Sequence, residues 1–169
     1  KLIYGENTWN EAKAWVSDGN SFALMGDGTN AFIYKFYVNN LEAKNCYRIS
    51  SSVATDVLSA DFYAFSSTRS VLFYVKNNTL YAYNYDIGNE RVDMIPLETT
   101  DEITMLKFDL TMEPMKDALY IATYSAIEGG SLRKYYVGNN PDKVELKSDP
   151  KAVWKGLTKV KNMSWRALL

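Results

Sequence analysis

The chain has 169 residues, 19 basic against 20 acidic side chains, 47% hydrophobic and 14% aromatic content, no histidine and one cysteine. This size suits one domain or part of one, and a near-neutral charge with no run of five like charges leaves no basic footprint for nucleic acid or an anionic membrane surface. Without histidine there is no Ser-His-Asp or Cys-His apparatus, and Cys46 alone makes neither an intrachain disulfide nor a thiolate metal cage.

In chain order, the first eighteen residues read differently from the rest. Thr8 with Glu11 three positions on fits a capping box, and Trp9, Ala12, Trp15 and Val16 recur at near-helical spacing before Asp18-Gly19. That pattern predicts a short helix over 8–17 within a lead-in of residues 1–20. From there the chain is strand-like. Ser21–Met25 and Ala31–Tyr37 flank Asp27-Gly28, Ser70–Val75 and Thr79–Tyr85 flank Asn77-Asn78, and Ala118–Tyr124 and Ser131–Val137 flank Gly129-Gly130. Each turn supplies residues that tolerate positive φ, as hairpin turns require. In the middle hairpin Leu80, Ala82 and Asn84 alternate with Tyr81, Tyr83 and Tyr85, the period of two that marks a strand.

Two shorter segments lie between hairpins. Cys46–Ser50, Arg91–Leu97 and Lys143–Lys147 close a repeat, while Val57–Phe65, Ile103–Phe108 and Gly156–Trp165 open the next. Asp149-Pro150-Lys151 predicts an N-capped helical turn that Gly156 keeps short. The hairpins begin at Ser21, Ser70 and Ala118, a period of roughly fifty residues within the range of propeller blades. Four strands per repeat predicts an all-β, propeller-like fold of about three and a half repeats: 21–55, 56–100, 101–150 and a closing strand in 151–169. A β-sandwich is the alternative architecture. Three and a half repeats fall short of the usual ~4 blades, so the reading expects a partial propeller from a longer chain, or one completed by a second polypeptide or a second copy. Lys1-Leu2-Ile3 shows neither an initiator methionine nor a signal-peptide shape, and no stretch approaches the ~18 consecutive apolar residues of a membrane span.

Tyr63–Tyr74, Leu80–Tyr83, Glu102–Phe108, Leu119–Tyr124 and the ending from Trp154–Leu157 through Met163 resemble the C-terminal propeller-like region of the PKD-like family of Bacteroidetes lipoproteins. The resemblance covers residues 57–166 and rests on strand patterns. It implies an exported protein at the cell surface or outer membrane, a lipid anchor outside this segment, and a carbohydrate-binding role linked to polysaccharide uptake. It carries over no catalytic residue.

Four tryptophans are the candidate ligand-binding residues: Trp9, Trp15, Trp154 and Trp165. Sugar rings present apolar CH faces that pack on an indole, and closure of a propeller would bring the two chain ends together. The competing reading is a hydrophobic plug joining helix to blade. Asp56, Asp61, Asp101 and Glu102 lie in or beside opening strands and would be the carboxylates of a glycosidase, but solvated turn residues at strand entrances for Asp56, Asp101 and Glu102, and a structural partner for Asp61, are the preferred reading. Asp27-Gly28-Thr29-Asn30 lacks the ligands of a calcium loop and reads as a turn, and the Tyr81, Tyr83, Tyr85 ladder reads as sheet packing. No metal site or cofactor is expected. The resulting expectation is a non-catalytic binding or scaffold module with a glycan ligand. A protein-interaction platform and a glycoside-active enzyme completed by residues outside this segment are the alternatives.

Overall fold

The computed structural model describes residues 11–17, 21–26, 30–36, 46–53, 55–66, 69–109 and 118–163. They form an all-β structure of three four-stranded antiparallel sheets, each a simple meander. The first sheet contains β1 (Glu11–Ser17), β2 (Ser21–Gly26), β3 (Ala31–Phe36) and β4 (Cys46–Arg48). A 3-10 turn over Thr55–Ser59 leads to the second, with β5 (Phe62–Phe65), β6 (Val71–Lys76), β7 (Thr79–Asn84) and β8 (Arg91–Ile95). The third holds β9 (Glu102–Phe108), β10 (Ala118–Ser125), β11 (Gly129–Val137) and β12 (Leu146–Leu157). Among the first strands, β1 lies beside β5 and β5 beside β9.

The second sheet is the middle layer, and its sequence shows why. Every residue from Val71 to Val75 is buried, because both faces of β6 are covered and the strand reads as a continuous apolar run rather than an alternating one. Val71, Phe73 and Val75 join Leu80, Ala82 and Ile95 in a core shared with Ile103, Leu106, Phe108, Leu119, Ile121, Tyr135 and Val137 of the third sheet. Phe73 and Phe108 stack across that boundary, ring centroids 6.3 Å apart and planes 18° from parallel. The opposite face turns Leu72, Tyr74 and Tyr83, with Tyr85 just beyond β7, toward Leu24, Ala31 and Ile33 of the first sheet. The tyrosine ladder is therefore packing. Tyr83 and Tyr85 are buried, and Tyr81 stacks on Tyr74 at 5.2 Å.

Turn chemistry accounts for the hairpins. Asn77 and Asn78 both adopt positive φ, 50° and 56°, and close β6 onto β7 with two residues. Asn78 also ties this hairpin to the third sheet, its Oδ1 accepting from Ile103 N–H at 2.7 Å. At the β10–β11 turn Gly129 takes φ 74°, but Gly130 has a different duty: a Cβ there would sit 2.0 Å from the Thr158 carbonyl oxygen, so only glycine lets the end of β12 pass so close. Asp27-Gly28 lies outside the described residues.

Three expectations are corrected. The described part of the predicted 8–17 helix, Glu11–Ser17, is the strand β1, paired with β2 from Glu11↔Gly26 to Ser17↔Ser21. A register shift between Ala12 and Ala14 breaks the period of two, so the apolar positions of a bulged strand imitate helical spacing. This strand opens the first sheet, the element missing from the sequence reading of that repeat. The helical turn at Asp149-Pro150-Lys151 is an irregularity within β12, whose register on β11 jumps between Ser148 and Val153. There Asp149 Oδ1 accepts from Lys151 N–H at 3.0 Å, and Pro150 occupies a place where no ladder bond is asked of it. Finally, no strand opens at Gly156. β12 continues to Leu157, and residues 158–163 follow as irregular chain.

Candidate functional site

That irregular segment lies along β9. Lys159 Nζ pairs with Glu102 at 3.0 Å near the start of β9, and Lys107 Nζ, near its end, donates to Asn162 Oδ1 at 3.1 Å and to the Met163 carbonyl. The segment therefore runs in the same direction as β9. Val160 and Met163 pack on Met105, Tyr120 and Ala122, covering the inner half of the third-sheet face that points away from the second sheet.

The outer half of this face, which no further described sheet covers, is chemically distinctive. Strand register places Leu132 opposite both Ala122 and Trp154, Lys134 opposite Tyr120, and Tyr136 opposite Lys147. Residues directly opposite share a face, so Trp154, Lys134, Tyr136 and Lys147 stand on it together with Tyr120. Trp154 is 45% exposed on β12, the edge strand. Lys134 Nζ lies 5.7 Å from the Tyr120 ring centroid and 5.2 Å from that of Tyr136, a cation between two aromatic faces. Burial pulls the Lys134 pKa down, but the electrostatics and hydrogen bonding of Tyr120 and Tyr136 push harder the other way. The net direction is upward, and the ammonium is charged at neutral pH. Tyr136 donates its hydroxyl to Asp149 Oδ2 at 3.2 Å, which orients the phenol. At the turn end of the sheet, Lys159 Nζ lies 5.4 Å from the Tyr124 ring centroid.

A second concavity separates the outer edges of the second and third sheets. It is an open groove of about 380 Å³ lined by Asp93, Met94, Ile95 and residues 143–147. Polar groups in and beside it join the sheets. Asp93 Oδ2 accepts from Arg91 Nε at 3.0 Å and from Val144 N–H at 2.9 Å, Arg91 Nη1 donates to the Pro141 carbonyl, and Arg69 holds Gly138 O and Asn139 Oδ1. Tyr135 donates to Glu98 Oε2 at 2.6 Å; burial first, then this neighbouring carboxylate, raises its pKa well above the usual phenol value.

Of the four tryptophans, Trp154 stands on the outer half of the third-sheet face just described. Trp15 occupies β1, the first strand of the first sheet, at the position opposite Ala23. Trp9 and Trp165 lie outside the described residues. Among the acids, Asp61 is exposed, Glu102 is paired with Lys159, and Asp101 belongs to the approach to β9, where its backbone carbonyl accepts from Asn78 Nδ2 at 3.2 Å. No group of three or more His, Cys, Asp or Glu side chains gathers among the described residues. Sequence reading passed over Lys134, Tyr136 and Lys147. The alternation Leu132, Lys134, Tyr136 puts these residues of β11 on one face; that Lys147 joins them is set by the pairing of β12 on β11.

The chain matches no family model and no curated protein.

Proposed function

We propose that the chain is a non-catalytic binding module of propeller type, exported to the cell surface, and that its ligand is a glycan held beside Trp154 on the outer edge strand of the third sheet. The observation that carries the reading is Trp154, an indole 45% exposed on an edge strand beside a polar, hydrogen-bonded surface of Lys134, Tyr136 and Asp149. An exposed aromatic next to oriented polar groups suits a sugar, which needs an apolar platform for its CH face and hydrogen-bond partners for its hydroxyls. The propeller assignment is supported by the adjacency of the first strands β1, β5 and β9, by the four-stranded meanders, and by residues 158–163 running along β9 where the first strand of another blade would lie. Export and surface location rest on the family resemblance.

A second reading, a protein-interaction platform, is favoured by β8. Val92 and Met94 are 50% and 65% exposed on an edge strand, an apolar pair suited to a neighbouring subunit. Affinity electrophoresis through gels containing neutral or acidic polysaccharides separates the two. The glycan reading expects retardation by at least one polysaccharide that Trp154→Ala abolishes and Met94→Ala leaves intact. Free migration in every gel refutes it.

A further inference from the structure

We propose that the outer edge of β8 is a second binding site, which takes an extended, uncharged and apolar segment of another polypeptide as a fifth strand of the second sheet; this rests on the protein-interaction reading above and is independent of the glycan at Trp154. The argument starts from the backbone. Asn77-Asn78 closes β6 onto β7 with two residues, which makes Lys76 and Thr79, next to the turn, a hydrogen-bonded pair. Bonding then alternates along β7 with no register shift. Thr79, Tyr81 and Tyr83 bond to β6, while Leu80, Ala82 and Asn84 bond to Ile95, Asp93 and Arg91 of β8. Val92 and Met94 are left with N–H and C=O groups that point out of the sheet edge, and these two are also the residues of β8 with exposed side chains. No strand lies beyond them among the described residues.

Edge strands usually carry features that prevent pairing. β12 has them in its register jump, in Pro150, and in Lys147, Lys151 and Lys155. β8 is regular over Arg91–Ile95, and Pro96 comes only after the strand ends. As the fourth strand of the middle sheet it lies on the circumference of a ring of blades, where closing the ring leaves it uncovered. Beside it runs the groove of about 380 Å³ that separates it from residues 143–147. An added strand turns alternate side chains to opposite faces. The residue opposite Asp93 enters the groove near Ile95, Val144 and Leu146, and the residues opposite Val92 and Met94 lie against those two side chains. The charges bordering the groove are paired, Arg91 with Asp93 at 3.0 Å and Lys143 with Glu145 at 3.2 Å, so an uncharged segment complements it. A second copy of β8 fits poorly in every antiparallel register. Pairing Val92 with Met94 of the copy sets the two Asp93 carboxylates directly opposite each other, a destabilising like-charge pair. Pairing Met94 with Met94 puts Pro96, which has no N–H, opposite Val92. Pairing Val92 with Val92 puts Met94 opposite Glu90, which lies outside the strand and accepts from Ser51 and the Gly88 amide.

The test follows the fluorescence anisotropy of a dye-labelled Gly-Ser-Thr-Val-Leu-Val-Thr-Ser-Gly peptide titrated with the whole chain. The same peptide N-methylated at both valines keeps every side chain but loses the donors that would meet β8. The proposal expects the parent peptide to bind with Kd of about 10–100 μM, as suits so small an interface, and the N-methylated peptide to bind about tenfold more weakly or not at all. Met94→Pro removes an outward donor without touching a ladder bond and should weaken the parent peptide about tenfold, while Trp154→Ala leaves it unchanged. Circular dichroism confirms that the variants are folded, and the N-methylated peptide tests the same bonds with the chain unaltered. Equal binding of the two peptides, weakened by Met94→Ala, overturns strand addition and leaves the protein-interaction reading standing. Binding insensitive to Met94→Pro and Met94→Ala overturns the site. A dimer in sedimentation velocity that Met94→Pro dissociates makes a second copy the occupant and overturns the foreign segment. No binding of either peptide at about 1 mM overturns the proposal and the protein-interaction reading of β8 together.

Discussion

Phe73→Ala tests the stacking of sheets on which the account of the fold depends. Phe73 is fully buried, at 0% exposure, and belongs to the core between the second and third sheets, stacked on Phe108. Removing a phenyl group from such a site forfeits its transfer free energy and leaves a cavity that the flanking strands close only in part, about 3–5 kcal/mol together. Domains of this size lose ~2–4 °C of Tm for each kcal/mol, so the midpoint should fall by about 6–20 °C. Urea unfolding followed by far-ultraviolet circular dichroism measures the loss, with an unchanged m-value showing that the same surface is exposed. Met94→Ala, on the exposed side of β8, should stay within ~0.5 kcal/mol. In a double-mutant cycle, Phe73→Ala and Phe108→Ala should couple by about 0.5–1.5 kcal/mol. A Phe73→Ala loss below about 1 kcal/mol, or one no larger than that of Met94→Ala, would refute the reasoning, because it would mean that Phe73 is not at a packed boundary.

Other substitutions probe single contacts. Gly130→Ala should destabilise by ~1–3 kcal/mol and speed hydrogen exchange over 157–163, because the new Cβ meets the Thr158 carbonyl oxygen at 2.0 Å and must push β12 away. Asn78→Gly keeps the positive φ of the turn but removes the acceptor from Ile103 N–H, and should cost ~1–3 kcal/mol in urea unfolding. Burial raises the Tyr85 phenol above its ordinary value of 10.0, and burial followed by Glu98 does the same for Tyr135. Because the folded pKa is the higher one, their contribution is fully present below pH ~10 and is lost as pH rises from there through the folded values. Stability measured across that alkaline range should therefore fall, and Tyr85→Phe should flatten the fall; an unaltered slope would count against the burial of that hydroxyl.

The parts of the fold legible in the sequence are those decided locally. Asn77-Asn78 sits between two alternating runs, so both the hairpin and the face of each side chain follow from neighbours within a dozen residues, and Tyr81, Tyr83 and Tyr85 fall where the period of two puts them. β1 was illegible for an equally local reason. Its bulge at Ala12–Ala14 shifts the apolar positions by one residue, and over seven residues a shifted period of two is indistinguishable from a helical one. β12 was read as ending near Lys147 because Asp149-Pro150 looks like a break, whereas the register jump after Ser148 absorbs the proline and lets the strand resume. The site divides in the same way. Residue type alone singles out Trp154 as a candidate; its exposure is visible only in the fold. That Lys134 has no ion partner among the described residues depends instead on where Lys159, Lys107 and Asp149 find partners, and those partners are 57, 55 and 13 residues away.

Amide chemical-shift mapping by nuclear magnetic resonance, with oligosaccharides of a polysaccharide that retards the chain in electrophoresis titrated into the whole labelled chain, tests the Trp154 site most directly. The account predicts shifts concentrated at residues 147–157, with the indole N–H of Trp154 among the most affected. Shifts centred on Val92 and Met94, or no shifts at a concentration where electrophoresis shows binding, would contradict it.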